Sequence, residues 1–202
     1  MTDIEKPAAN LPKSLLEALG RRNVVFVGLM GAGKTLIGRR VAVRLGVPFF
    51  DSDHEIENAS RMTIPDLFET YGEAEFRALE ERVLHRLLGE SPRVISTGGG
   101  AFMNPAIRDE IHATSISVWL NADLDILMER VKKRQNRPLL RAADPVAVMK
   151  RLMDERYPVY GTANIVVKTR DEHRDIIVEE VIDALEDFLG RSQSASEGAS
   201  RQ

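Results

Sequence analysis

The sequence predicts an α/β fold, a central parallel sheet of five strands with helices on both faces, and three observations carry the expectation. From Asn23 onward short apolar runs alternate with amphipathic stretches, the order that builds βαβ units. The first run, Val24-Val25-Phe26-Val27, is apolar at every position, as a strand covered on both faces must be. Polar or glycine-rich residues follow three of the strands, where sheets of this kind gather ligands at their carboxyl rim.

The elements follow in order. Leu11, Leu15, Leu16 and Leu19 recur near helical spacing and predict a short helix over Lys13 to Leu19. After the first strand comes a glycine-rich turn and a helix through Leu45. Val47 to Phe50 reads as a second strand, and Asp53 to Ala59 as a helix. Thr63 is a candidate N-cap with an early proline behind it, Pro65. A longer helix over Glu73 to Leu88 shows its period in Phe76, Leu79, Val83, Leu84 and Leu87. Arg93 to Ser96, Ser115 to Leu120 and Ile165 to Val167 are the remaining strands. Asn104-Pro105 opens a helix, and further helices cover Leu124 to Lys132, Pro145 to Glu155 and Asp175 to Leu189. One domain over residues 21–190 is expected, with an N-terminal extension before it and a Ser/Gly/Ala-rich tail over 191–202 expected to be disordered.

Composition narrows the function. A chain of 202 residues, 43% hydrophobic and 29% charged, can bury roughly 70% of its unfolded surface without staples. With no cysteine, disulfide scaffolds and cysteine zinc sites are excluded. A net charge of −3 argues mildly against a nucleic-acid partner. No apolar stretch approaches the roughly 18 residues of a membrane span, and the acidic N-terminus is unlike a secretory or transit signal. These features predict a cytoplasmic protein with no membrane or nucleic-acid partner.

Gly28-Leu29-Met30-Gly31-Ala32-Gly33-Lys34-Thr35 fits G-x-x-x-x-G-K-[ST] between a strand and a helix. Its four fixed positions arise by chance in such a chain on the order of once in a hundred times. Glycines let the backbone curl with its N–H groups inward, and the helix that follows adds its positive end. Lys34 is expected on the β- and γ-phosphates, and the Thr35 hydroxyl on Mg²⁺. The motif alone does not separate ATP from GTP or a kinase from an ATPase. Asp51-Ser52-Asp53 closes the second strand. Its two carboxylates suit a Mg²⁺ shell and a substrate hydroxyl, and equally an ordinary helix cap. Arg77 suits a surface pair with Glu73 or Glu81. Gly98-Gly99-Gly100 after the third strand implies a close approach to that backbone, or a flexible turn. The segment Arg130 to Arg141 carries six positive charges and no negative one. It reads as a solvated face, a nucleic-acid patch or a lid that closes over phosphates, and its lack of aromatic residues weakens the second. Arg156 is a surface arginine or an anion ligand.

Taken together, Gly28 to Thr35, Asp51-Ser52-Asp53, Glu75-Phe76-Arg77, Ser96 to Gly100, Asn136-Arg137-Pro138-Leu139-Leu140 and Arg156-Tyr157-Pro158-Val159-Tyr160 resemble the shikimate kinase family from about Asn23 to Val167. The resemblance implies a P-loop NTPase-like three-layer fold, with a lid about 133–144 and a shikimate-binding helical region about 53–88. It implies transfer of the γ-phosphoryl of ATP to the 3-hydroxyl of shikimate by a monomer that uses one Mg²⁺. Gly31, Ala32, Gly33, Lys34, Thr35 and Leu36 are then the ATP loop, with Arg130 on adenine and Arg137 reaching the phosphates from the lid. Thr35 and Asp51 serve the metal. Asp53 receives shikimate hydroxyls, Arg77 and Arg156 clamp its carboxylate, and Gly98, Gly99 and Gly100 line its pocket. Asp53, Lys34 and Arg137 are the implied catalytic residues. A gluconate kinase or nucleoside monophosphate kinase would share the P-loop and lid without the aspartate pair, triple glycine and two arginines. Residues 168–175 lack a proline that some members place against adenine.

Overall fold

The computed structural model describes residues 13–133 and 143–199. Arg137 and nearly all of the expected lid lie outside the described residues. Five strands form one parallel sheet: β1 (Asn23–Val27), β2 (Phe49–Asp51), β3 (Val94–Ser96), β4 (Ser115–Ala122) and β5 (Ile165–Thr169). Their spatial order is β2-β3-β1-β4-β5. β1 therefore lies at the centre, buried at all five positions, and its carboxyl end opens in the middle of the rim. The Phe26 carbonyl accepts from the Thr97 N–H at 3.1 Å and from the Thr97 hydroxyl at 2.9 Å. These bonds hold the ends of β1 and β3 side by side.

Helices α1 (Lys13–Leu19), α2 (Lys34–Leu45), α3 (Ser52–Ser60), α4 (Ile64–Gly89), α5 (Pro105–Thr114), α6 (Leu124–Lys132), α7 (Pro145–Tyr160) and α8 (Arg174–Ala199) connect and cover the strands. Thr63 caps α4 as expected, accepting from the Asp66 N–H at 3.3 Å. The two helices expected on either side of residue 72 are both present within α4 and meet at a break, where Gly72 has φ 81° and ψ 176°. α7 runs to Tyr160, past the expected end at Glu155 and through Pro158. The Tyr157 hydroxyl donates to the Ala122 carbonyl and the Tyr160 hydroxyl to the Gly99 carbonyl, which anchors this last turn despite the missing proline donor.

At the C-terminal end, α8 runs on to Ala199, through most of the segment expected as a tail. Residues 190–199 contain no proline, and Ala, Gln and Glu among them favour helix. The expected boundary near residue 20 has no counterpart in the packing. Leu15 and Leu19 are 4% and 2% exposed and belong to the common core, because α1 rests on α8.

Candidate active site

The turn after β1 forms a nest. Gly28, Gly31 and Gly33 all have φ between 85° and 136°, where side chains are strained. The Lys34 ammonium donates back to the carbonyls of Gly28 at 2.8 Å and Leu29 at 3.0 Å, so it lies over the loop it follows. Thr35 donates its hydroxyl to Asp51 Oδ2 at 2.6 Å, and Ser96 Oγ stands 3.4 Å from the same hydroxyl. The other carboxylate oxygen of Asp51 accepts from the Asp53 N–H at 3.1 Å and caps α3. Asp51 is thus both a helix cap and the acidic neighbour of Thr35.

Beyond the nest the glycine run meets the charged residues. An added Cβ at Gly98 would stand 2.6 Å from Asp53 Oδ1, and one at Gly100 would stand 2.6 Å from Arg77 Nη1. Ser52 fixes this loop by accepting from the Gly98 N–H at 2.9 Å. Arg156 Nη1 donates to the Gly99 carbonyl at 2.9 Å, an oxygen that Tyr160 also donates to. The close approach expected at the triple glycine is therefore present, made by the carboxylate of Asp53 and the guanidinium of Arg77.

Arg77 pairs with Glu80 at 2.7 Å and Glu73 at 3.2 Å, not with Glu81. No sequence motif marks Glu80. Burial pushes its carboxyl above the usual range, against the opposing pull of Arg77. It is 1% exposed, a carboxylate in the core. A signal existed: Glu80 falls on the same helical stripe as Phe76, Val83, Leu84 and Leu87, where only apolar residues are expected. Ser52 and Tyr160 are two further residues of the site for which no role was read from sequence.

Arg130 ties α6 to both ends of the nucleotide side. It donates to the Arg170 carbonyl at 2.7 Å and to the Thr169 hydroxyl at 3.3 Å, and reaches the Gly31 and Ala32 carbonyls at 3.4 Å. A single cleft of about 690 Å³ is lined by residues 31–36, Asp51, Asp53, Arg77, Glu80, Gly98 to Gly100, Arg130 and Arg156. Every described residue singled out from the sequence for nucleotide, metal or acid opens on this one space.

The shikimate kinase profile matches residues 30–186. The shikimate kinase of Mesorhizobium japonicum is 60% identical over 185 residues, 92% of this chain and 91% of that one. The chain belongs to the shikimate kinase family. The shikimate kinase of Rhizobium meliloti is 54% identical over 93% of this chain and 98% of its own length. Among solved structures, shikimate kinase from Acinetobacter baumannii in complex with shikimate superposes with a TM-score of 0.79 at 34% identity, covering 85% of this chain and 97% of that one. A gluconokinase from Sinorhizobium meliloti, at TM-score 0.58 and 17% identity over 87% of this chain and 98% of that one, shares the fold alone. The resemblance drawn from the motifs is borne out, and so is the α/β kinase fold. Shikimate kinases transfer a phosphoryl group from ATP to shikimate. Among the described residues no helix is long and apolar enough to cross a membrane.

Proposed function

We propose that this chain moves the γ-phosphoryl group of ATP to the 3-hydroxyl of shikimate, with the triphosphate on the P-loop and the acid between Asp53, Arg77 and Arg156. The supporting observation is that both sets of residues line one cleft, joined by the glycine run between them. The glycine turn over residues 31–36 and the ammonium of Lys34 receive the phosphates, and the start of α2 adds its positive end. Thr35 and Asp51 offer two hard oxygens within 2.6 Å of each other, which fits a Mg²⁺ held by one carboxylate, one hydroxyl, water and phosphate. Bound there, the ion would neutralise charge on the transferring group.

Asp53 accepts hydrogen bonds from the acceptor hydroxyl and orients it. With a loose transition state little proton abstraction is required, so positioning is its main work. Arg77 and Arg156 present guanidinium forks to a carboxylate. Glu80 holds Arg77 in place at 2.7 Å. Arg130 provides a flat cationic face for the base.

ADP release measured with shikimate, quinate, gluconate and nucleoside monophosphates tests the reading. Shikimate is expected to give the highest kcat/KM. A higher value with gluconate or a nucleotide would overturn it.

A further inference from the structure

The glycine run after β3 is held from two sides. The carbonyls of Gly98 and Gly100 accept from the N–H groups of Ala101 at 3.2 Å and Met103 at 3.0 Å, within the chain's own turn. The Gly99 carbonyl is held by α7 instead. Arg156 Nη1 donates to it at 2.9 Å, and the Tyr160 hydroxyl donates to the same oxygen. Four residues apart, the two side chains share one face of the helix, and a carbonyl has two lone pairs to receive them. Their surroundings differ. Arg156 lines the cleft, whereas Tyr160 is 0% exposed and packs behind it among Phe102, Trp119 and Tyr157. Burial pushes the Tyr160 phenol up to about 12, so it remains a donor at neutral pH. Arg156 also differs from Arg77. Arg77 is paired with Glu73 and Glu80, while no carboxylate among the described residues forms an ion pair with Arg156. A neutral carbonyl can aim a guanidinium without competing for its charge.

We propose that Tyr160 is a positioning residue that acts through the backbone: by fixing the Gly99 carbonyl it aims Arg156 at the carboxylate of the acid substrate. This rests on the reading that Arg156 receives that carboxylate. A peptide between glycines has little to hold its plane, so without the hydroxyl the Gly99 carbonyl swings and the guanidinium swings with it. The charge of Arg156 is kept and only its orientation is lost. The phosphate turn is built between β1 and α2, so ATP binding stays as it is.

The test is the split between the two substrates. Tyr160→Phe removes one oxygen and keeps the packed ring. The Gly99 carbonyl retains Arg156 as a donor, so no buried acceptor is orphaned and the fold is kept. This variant is expected to raise the KM for shikimate about tenfold while the KM for ATP stays within about twofold. Tyr157→Phe is the control for a purely structural role. It takes a hydroxyl from the same aromatic cluster, but one that donates to the Ala122 carbonyl, and it leaves both constants unchanged. In an Arg156→Ala background, Tyr160→Phe adds nothing further, because it acts through that guanidinium. A wild-type KM for shikimate in Tyr160→Phe overturns the proposal. So does a rise in both KM values alike, an equal rise in Tyr157→Phe, or a tenfold effect that persists without Arg156. The reading beneath it fails separately, if Arg156→Ala itself leaves the KM for shikimate unaltered.

Discussion

At the residue scale, the triple glycine is three different requirements. Gly98 makes room for the Asp53 carboxylate at 2.6 Å and Gly100 for the Arg77 guanidinium at 2.6 Å, whereas a Cβ at Gly99 would meet Arg156 at an ordinary 3.6 Å. Alanine at 98 must displace Asp53, and a shift of about 1 Å in a positioning group costs on the order of a hundredfold in rate. Gly98→Ala is therefore expected to lower kcat far more than Gly99→Ala, as steady-state kinetics would read directly. Arg77 carries a second consequence through Glu80. Its loss removes a charged hydrogen bond worth roughly 1.5–3 kcal/mol, so shikimate binding should weaken about ten- to over a hundredfold with ATP binding little changed. It also leaves Glu80 buried without its pull, and the carboxyl rises further above the range it has in the unfolded chain. The folded state then keeps a proton that the unfolded state has released, so stability falls as pH rises through that window. Melts of Arg77→Ala should show a larger deficit against wild type at pH 8 than at pH 5, and adding Glu80→Gln should remove the difference.

At the scale of elements, the start of α3 carries two functions on one side chain. Asp51 Oδ1 caps the helix and Asp51 Oδ2 holds the Thr35 hydroxyl. The sequence offered these as alternatives, and the geometry makes them compatible because a carboxylate has two oxygens. Asp51→Asn keeps an oxygen for the cap and gives up the charge. Its melting temperature should hold while turnover falls, and Asp51→Ala should lose about 0.5–2 kcal/mol of stability in addition. Equal stability of the two variants would detach the cap from this residue. The caps at Thr63 and Asn104 were legible for the same local reason: capping oxygen and capped N–H stand two or three residues apart. The bend at Gly72 was legible only as a gap between two helical patterns.

At the scale of the whole molecule, the sheet order brings the ends of β1, β2 and β3 together at one rim, so that residues from 30 to 100 meet in one cleft. The N-terminal segment joins this body as well. Leu19, 2% exposed, fills part of the core shared by α1 and α8. Leu19→Ala should destabilise the protein by about 2–5 kcal/mol, measured by denaturant unfolding, whereas a detachable extension would give almost nothing. The ion pairs Arg40–Asp175 and Arg44–Glu179 also link α2 to α8. As exposed pairs they contribute roughly 0–1 kcal/mol each, so the apolar contacts carry this interface.

The sequence by itself determined the order and type of the elements, the phosphate-binding turn and the family, because strand and helix periods, caps and glycine turns depend on residues a few positions apart. The tertiary structure alone decided that Arg77 pairs with Glu80, that Gly98 faces Asp53, that Arg156 and Tyr160 share the Gly99 carbonyl, and that Phe68, before the break at Gly72, meets Phe76. All but the first of these contacts lie eight to 61 positions apart, or depend on a bend between their partners. The first lies within one helix, yet its burial depends on what that helix packs against. No local pattern encodes such meetings, because they follow from which strand ends are neighbours and from how closely two backbones approach.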